Sequence, residues 1–378
     1  MEFLKVYHKL DFEPVAAEGV YVWDKEGRRY MDFYGGHAVI SIGHRHPVWV
    51  EYLTGQINRL PFYSNAVHKS LETKFAGLLG ELSGYDDYGF FACNSGAEAV
   101  ENALKLASFH TGRSKILAFH KGFHGRTSAA VAVSDYPENA APLNTCHEVV
   151  FSPLNDIKQA VDLIGRGDLA AVIVEGIQGV GGVHIPSAGF LEAVAGACSQ
   201  TATMLILDEV QSGYGRSGRF FAHQHAGIRP DLITVAKGMG NGFPMGGVLV
   251  APHVEYRTGQ LGSTFGGNHM ALAAGTAVLE VMKEEKLVEN AAETGRYLLE
   301  DLAGISGVKE VRGQGLMIAI ELPEGKLPSI RRRLLFDEQL ITGQSGKNIL
   351  RLLPPLTITA DHARRAAASI RKVIESAA

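Results

Sequence analysis

Cysteine is scarce in this sequence, and its charge is nearly balanced. The three cysteines, Cys93, Cys146 and Cys198, stand far apart and form no C-x-x-C pair. Their spacing argues against a disulfide framework and against a thiolate zinc site. The formal net charge is −4 over 378 residues, so we expect neither nucleic acid nor an anionic membrane as a partner. The histidine pairs are separate in sequence and lack matching acids, so we expect ordinary loop or core histidines and no metal site. These pairs are His44/His46, His120/His124 and His223/His225.

Long apolar runs are also missing. No segment approaches the ~18 consecutive apolar residues that a membrane span needs. The first nine residues include Glu2, Lys5 and Lys9 and lack the apolar centre of a secretory signal. We therefore expect a cytoplasmic protein. The chain is 46% hydrophobic and 20% charged, which suits a globular enzyme, and its length favours two domains over a single core.

Short β-branched runs alternate with helical patterns through the middle of the chain. Such alternation predicts an α/β fold with a large, doubly wound, mostly parallel sheet. After Gly262, long helical patterns and two further strand candidates predict a smaller α+β domain. The predicted division is an N-terminal arm, or a part of the small domain, over residues 1–50, a large domain over residues 51–261 and a small C-terminal domain over residues 262–378.

Two of the apolar runs end in residues that can carry chemistry. Residues 204–207 precede Asp208, and residues 232–236 precede Lys237. Both runs predict buried parallel strands, whose carboxyl ends meet at the sheet edge where ligands bind. A carboxylate and an amine at one edge suit a cofactor with a cationic ring nitrogen and an aldehyde, such as pyridoxal phosphate (PLP). Taken alone, the acid could also end a strand in a turn or bind a metal, and the lysine could lie on the surface.

Further residues around this edge suit the same cofactor. Ser95 and Gly96 follow an apolar run and precede a helical pattern, so they predict a helix N-terminus whose free N–H groups could bind a phosphate. A plain capped helix would have the same pattern. Asp208 could keep the ring nitrogen protonated, Val210 could pack on one face of the ring, and Gln211 could donate to its phenolic oxygen.

Five motifs in order resemble one known family. They are residues 94–99, 123–127, 207–218, 236–238 and 262–268. From about residue 19 to the carboxyl end, the chain resembles the class III PLP-dependent aminotransferases of the ornithine and acetylornithine type. The resemblance implies a PLP-dependent transferase of fold type I and a homodimer with shared active sites. It also implies an ω-aminotransferase of arginine metabolism, which moves the δ-amino group of an N2-acylornithine (acetyl or succinyl) to 2-oxoglutarate.

The resemblance further implies roles for individual residues. Lys237 would bond to the cofactor aldehyde and move the proton in catalysis. Arg126 would hold the carboxylate of the acylornithine, and Arg351 the α-carboxylate of glutamate, through guanidinium–carboxylate forks. Phe123 would stack on the ring, and Thr264 would reach the partner subunit's phosphate. The implied cofactor-binding residues are Ser95, Gly96, Ala97, Phe123, Asp208, Val210, Gln211, Lys237 and Thr264. The implied substrate-binding residues are Arg126, Glu175, Ser263 and Arg351.

Two positions depart from the pattern of that family. Val180 stands where a glutamate usually pairs with the arginine at position 351. Arg351 is therefore predicted to be either open at all times or masked by another acid. His37 stands where an aliphatic residue is usual. If its loop lines the acyl pocket, His37 could favour a succinyl group over acetyl; otherwise it points to solvent.

Other interpretations of the sequence stay open. Residues 213–218 match G-x-G-x-x-G after a strand, as an NAD-dependent oxidoreductase would require, but the residues that follow are a poor start for a long helix. Within the resembling family, an ornithine or 4-aminobutyrate transaminase or an aminomutase is an alternative.

Overall fold

The computed structural model describes residues 1–7 and 9–377, and its largest element is a seven-stranded sheet. In spatial order the strands are β4 (Gly89–Cys93), β10 (Gly246–Val250), β9 (Leu232–Val235), β8 (Met204–Asp208), β7 (Leu169–Glu175), β5 (Lys115–Phe119) and β6 (Val149–Ser152). All neighbours are parallel except β10, which runs antiparallel to both β4 and β9. The prediction of a mostly parallel sheet is confirmed.

Helices cover both faces of this sheet. The four that follow its strands are α4 (Gly96–Thr111), α5 (Ser128–Ala132), α6 (Ile157–Ile164) and α7 (Ala188–Thr201). Ile116 and Ala118 of β5 pack into one apolar cluster with α4, whereas Leu117 and Phe119 pack into another with α6 and α7. Because successive residues point to opposite faces of a strand, this division makes the sheet doubly wound, as predicted.

Two smaller sheets join distant parts of the chain. One contains β1 (Pro14–Glu18), β2 (Tyr21–Asp24), β3 (Arg29–Asp32) and β13 (Leu340–Ile341), and β3 runs parallel to β13. The other, antiparallel, has the order β11 (Glu310–Gln314), β12 (Met317–Glu321), β15 (Ile349–Leu352) and β14 (Gly343–Ser345). Strand β3, near the start of the chain, therefore pairs with a strand of the C-terminal part. The division into three domains stays a prediction.

The remaining helices surround these sheets. They are α1 (Gly35–Ala38), α2 (Pro47–Arg59), α3 (Ser70–Ser83), α8 (His269–Glu284), α9 (Leu287–Ala303), α10 (Leu327–Phe336) and α11 (Ala360–Glu375). After residues 213–218 only a short 3₁₀ turn follows, Ala222–Ala226, so this segment lacks the long helix of a dinucleotide-binding motif. Within residues 1–7 and 9–377, no helix has the length and apolar character needed to cross a membrane.

Candidate active site

The carboxyl ends of three adjacent strands deliver two carboxylates and an amine to one place. Glu175 ends β7 and pairs directly with Asp208, which ends β8. Lys237 lies two residues past β9 and opens a short 3₁₀ turn, with a φ of 48°. All three line a cavity of about 600 Å³. The predicted meeting of acid and lysine at one sheet edge is therefore present in the fold.

Most of the predicted site residues share the wall of this cavity. They are Ser95, Gly96, Ala97, Phe123, Arg126, Glu175, Asp208, Val210, Gln211 and Lys237. Ser263 lies close by, where its hydroxyl accepts a hydrogen bond of 3.1 Å from the Asn94 side chain. Thr264 is exposed, and its predicted contact with the partner subunit's phosphate stays a prediction.

A buried histidine holds Asp208 in position. Nδ1 of His124 lies 2.7 Å from Oδ2 of Asp208, and both side chains are at most 4% exposed. The other carboxylate oxygen accepts from the backbone N–H of Val210. His124 is predicted to be an ordinary loop or core histidine, although it follows Phe123 within one of the five motifs. The structure makes it the partner of the key carboxylate.

The environment of Lys237 favours a neutral amine. Burial lowers the pKa of Lys237, and the charge of Arg351 acts in the same direction, while Asp208 and Glu175 oppose them. An amine with a lowered pKa is more often unprotonated, and therefore nucleophilic, near neutral pH. The predicted environment for a reactive lysine is thus present.

Glu175 ties together two loops of the cavity wall. Its Oε1 accepts from the N–H of Phe123 at 2.9 Å, and its Oε2 accepts from the N–H of Gly179 at 3.0 Å. Burial raises the pKa of Glu175 to about 7, with a further contribution from the charge of Asp208, whereas His124 and the two N–H donors act in the opposite direction. In the structure Glu175 positions its neighbours, and its predicted contact with substrate stays a prediction.

The raised pKa of Glu175 predicts a pH-dependent stability. Between its usual pKa of 4.5 and about 7, the native state keeps a proton that the unfolded state has lost. The free energy of unfolding should therefore fall as pH rises through this window, by about 3 kcal/mol in total. Denaturant unfolding of the apoprotein at pH 5 and pH 8 checks this. In Glu175→Gln most of this decline in the free energy of unfolding should disappear, whereas Glu284→Gln, at an exposed position, should keep it. Equal declines in both variants would show that Glu175 is not the titrating group.

The first turn of α4 is open toward the cavity. Ser95 caps the helix by accepting from the N–H of Glu98 at 3.2 Å. At Gly96 a Cβ would lie 2.7 Å from Cγ1 of Val210, so only glycine lets Val210 approach the helix this closely. The small residues leave the first N–H groups of the helix free for an anion.

Arg351 is buried without a carboxylate partner. Its Nε donates to the Gln344 carbonyl at 3.0 Å, and its Nη1 donates to the Gly179 carbonyl at 2.9 Å and to Oε1 of Gln211 at 3.3 Å. Within the part of the chain that the structure describes, no acid lies within ion-pair distance of it. One of the two predicted alternatives is that another acid masks Arg351. In the described chain, neutral oxygens contact its guanidinium instead.

Gln211 and His37 differ in part from expectation. The Gln211 amide, predicted to donate to the cofactor, donates to the His37 carbonyl at 3.2 Å. His37 is exposed, yet burial of its ring and the charges of Arg351, Lys237 and Arg126 lower its pKa to about 4. His37 therefore borders the site, and its predicted role in acyl selection stays a prediction.

Comparison with known proteins decides the family. The family model described as Aminotransferase class-III matches residues 5–374. The acetylornithine aminotransferase of Bacillus subtilis is 40% identical, over 98% of this chain and 97% of its own length. The chain is a class III aminotransferase.

Solved structures agree with this family. The acetylornithine aminotransferase from Elizabethkingia anophelis aligns with a TM-score of 0.86 and 32% identity, over 99% of this chain and 96% of that one. The ornithine aminotransferase from Toxoplasma gondii aligns with a TM-score of 0.92 and 28% identity, over 99% and 92%. The predicted fold type I architecture is confirmed for this aminotransferase.

Class III aminotransferases use PLP, and the residues of this site fit it. The free N–H groups of residues 95–97 suit its phosphate, and Asp208 can hold a proton on the ring nitrogen. The partly buried amine of Lys237 faces the same cavity. Tyr7 also lines this cavity of the aminotransferase. It is not predicted from the sequence, because nothing in the local sequence links it to residues so far along the chain.

Proposed function

We propose that this aminotransferase transfers the δ-amino group of an N2-acylornithine, acetyl or succinyl, to 2-oxoglutarate in arginine metabolism. The relative named above as an acetylornithine aminotransferase supports this substrate. The observation that carries the proposal is that Arg126 and Lys237 line the same cavity, and that Arg351 donates at 3.3 Å to Gln211 on the wall of that cavity. Two guanidinium groups thus lie near the reactive amine, where each could bind a carboxylate of a substrate.

Residues of the sheet edge would hold the cofactor. PLP, when bound, supplies an aldehyde for the substrate amine and a cationic ring that withdraws electrons from the reacting carbon. Residues 95–97 would bind its phosphate through their N–H groups, Phe123 and Val210 would pack on its ring, and Gln211 would donate to its phenolic oxygen. Asp208 keeps the ring nitrogen protonated, and His124 keeps Asp208 in place.

Lys237 and the two arginines would carry the transfer. Arg126 binds the α-carboxylate of the acylornithine and so places its δ-amino group near Lys237, with Ser263 and Glu175 at the edge of the substrate site. Nζ of Lys237 would take the proton from the δ-carbon of the substrate and hold it during the transfer. In the second half-reaction Arg351 binds the α-carboxylate of 2-oxoglutarate, and Lys237 moves the proton in reverse. The products are an N-acylglutamate semialdehyde and glutamate.

A homodimer would complete the site. Aromatic residues near the segment of Ser263 and Thr264 are exposed, and Phe62 and Phe265 pack on each other with ring centroids 5.3 Å apart. Exposed apolar patches of this kind mark interfaces between chains. With a second copy on this surface, Thr264 would bind the partner subunit's phosphate. We place this dimer in the cytoplasm.

Competing amines test the proposed substrate. The holoenzyme is given acetylornithine, succinylornithine, ornithine or 4-aminobutyrate together with 2-oxoglutarate, and glutamate formation is followed. One of the two acylornithines should exceed both other amines in kcat/KM by at least about tenfold, the effect of roughly one charged hydrogen bond. A higher value for ornithine or 4-aminobutyrate would contradict the proposed substrate but not the aminotransferase chemistry.

Replacing Val180 by an acid should close Arg351. A carboxylate beside Gly179, whose carbonyl already binds Arg351, would pair with the guanidinium and would have to be displaced by the α-carboxylate of glutamate. Val180→Glu should therefore lower kcat/KM for glutamate about tenfold and leave the acylornithine within about twofold. The neutral control Val180→Gln should change neither. Equal changes in kcat/KM for Val180→Glu and Val180→Gln would show that the size of the new side chain matters rather than its charge.

A further inference from the structure

The hydroxyl of Tyr34 lies beside the guanidinium of Arg351. Gly343 of β14 pairs with Arg351 of β15, and the Tyr34 ring packs so closely on Gly343 that a Cβ there would lie 2.3 Å from Cε2 of the ring. Because the ring rests on the residue opposite Arg351, the phenol is held next to the guanidinium. Burial raises the pKa of Tyr34, against the charge and hydrogen bonding of Arg351, which lower it.

The same hydroxyl contacts His37. It lies 2.9 Å from Nε2 of His37 and also contacts Nδ1. Since burial and three neighbouring cations lower the pKa of His37 to about 4, the imidazole is neutral at neutral pH and can accept the phenolic proton. The Tyr34 oxygen is then free to accept from Arg351.

Arg351 keeps part of its guanidinium for a ligand. Nε and both N–H groups of Nη1 are used by Gln344, Gly179 and Gln211. An arginine has five N–H donors, so the two on Nη2 remain for Tyr34 and for a carboxylate. The neutral contacts fix the guanidinium without neutralising its charge.

A second guanidinium adds to the positive charge at this place. Arg331 donates to the Gln344 side chain and, at 3.1 Å, to the Thr342 carbonyl. Its Nε is buried and has no hydrogen-bond partner among the described residues. Burial lowers the pKa of Arg331, and the charge of Arg351 adds to this effect. Arg351 is buried and Arg331 is partly buried, and neither is paired with an acid in the described chain. Two such like charges favour binding of an anion between them.

We propose that Tyr34, held by His37, is a neutral gate on Arg351 and a second donor to the carboxylate that Arg351 binds. The proposal rests on the proposed function, in which that carboxylate is the α-carboxylate of glutamate or 2-oxoglutarate. In the free site the Tyr34 oxygen accepts from Arg351 while its O–H donates to His37. When the carboxylate arrives it replaces this oxygen on the guanidinium, and the O–H turns to donate to the carboxylate. A neutral oxygen is displaced rather than an acid, which explains how Val180 can stand at the position of a gating glutamate.

Removal of the hydroxyl tests the gate. Tyr34→Phe keeps the ring on Gly343 and removes only the O–H. In steady-state measurements on the holoenzyme with glutamate as the amino donor, KM for glutamate should rise about tenfold while kcat stays within about twofold. Both constants for the acylornithine should be unchanged. The dissociation constant of 2-oxoglutarate, titrated by absorbance, should rise by a similar factor. The matched control is Tyr30→Phe, at a buried tyrosine whose hydroxyl donates to Oδ2 of Asp24 at 2.9 Å. Neither residue lines the cavity, so this variant should change the kinetics with neither substrate.

Two outcomes would overturn the gate. One is an unchanged KM for glutamate and an unchanged affinity for 2-oxoglutarate. The other is an equal loss with both substrates, which would make Tyr34 a packing residue only. A wild-type enzyme that reacts with glutamate but not with an acylornithine would overturn the proposed function alone, because the glutamate and 2-oxoglutarate measurements on Tyr34→Phe would still decide the gate.

Discussion

Replacing Lys237 by alanine is expected to lower turnover by at least about 10⁴-fold. The side chain supplies both the nucleophile and the group that moves the proton, and a positioned general base alone contributes up to about 10⁴. Its partly buried amine has a lowered pKa and lies at the same sheet edge as Asp208. No other lysine lines this cavity in the described chain, so no neighbour can take over its function.

Single-turnover kinetics of the cofactor-loaded variant measure this effect. Small primary amines added to Lys237→Ala should restore part of the rate, because they can move the proton within the vacated space. The exposed Lys283→Ala, which loses only a surface ion pair with Glu81, should keep wild-type activity. A Lys237→Ala variant within tenfold of the wild type would contradict the role of this residue.

Asp208→Asn is expected to lower kcat by about 10²- to 10³-fold, the effect of removing one preorganised charged group from a reacting centre. Asparagine has nearly the same shape, so the pocket should remain intact while the charge that protonates the ring nitrogen is lost. The hydrogen bond from His124 can persist to the amide oxygen, which limits any loss of stability.

The loss is measured as kcat with saturating substrates, with cofactor content checked by absorbance. Asp168→Asn is the matched control, since Asp168 immediately precedes β7 at the opposite end of the sheet and pairs with Lys115 on the surface. It should retain kcat within about twofold. A decrease of less than tenfold in Asp208→Asn would show that the ring nitrogen does not depend on this carboxylate.

The sheet edge could be predicted from the sequence because its signals are local. Residues 204–207 are a continuous apolar run, and residues 232–236 are apolar apart from Thr234, as strands buried on both faces require. The charged residue that follows each run marks the carboxyl edge. The structure agrees at Asp208 and Lys237. The small residues before α4 were informative for the same reason, since helix capping depends on only a few neighbouring residues.

The contacts that the sequence did not predict join distant segments. His124 reaches Asp208 across 84 residues of chain, and Tyr34 meets Arg351 only because β14 and β15 pair in one register. The antiparallel direction of β10 and the pairing of β3 with β13 likewise depend on tertiary packing. The absence of an acid at position 180 was visible in the sequence, but the neutral groups around Arg351 were visible only in the fold.

The most direct test of the proposed enzyme is a two-step titration of the holoenzyme. Addition of an acylornithine without any acceptor should abolish the visible absorbance band of the lysine-bound cofactor, and addition of 2-oxoglutarate should then restore it with release of one glutamate per site, as a ping-pong transfer requires. Lys237→Ala cannot form this band, and the same two additions should release no glutamate from it. A band that persists with both acylornithines, or that does not return with 2-oxoglutarate, would contradict the transfer proposed for this site.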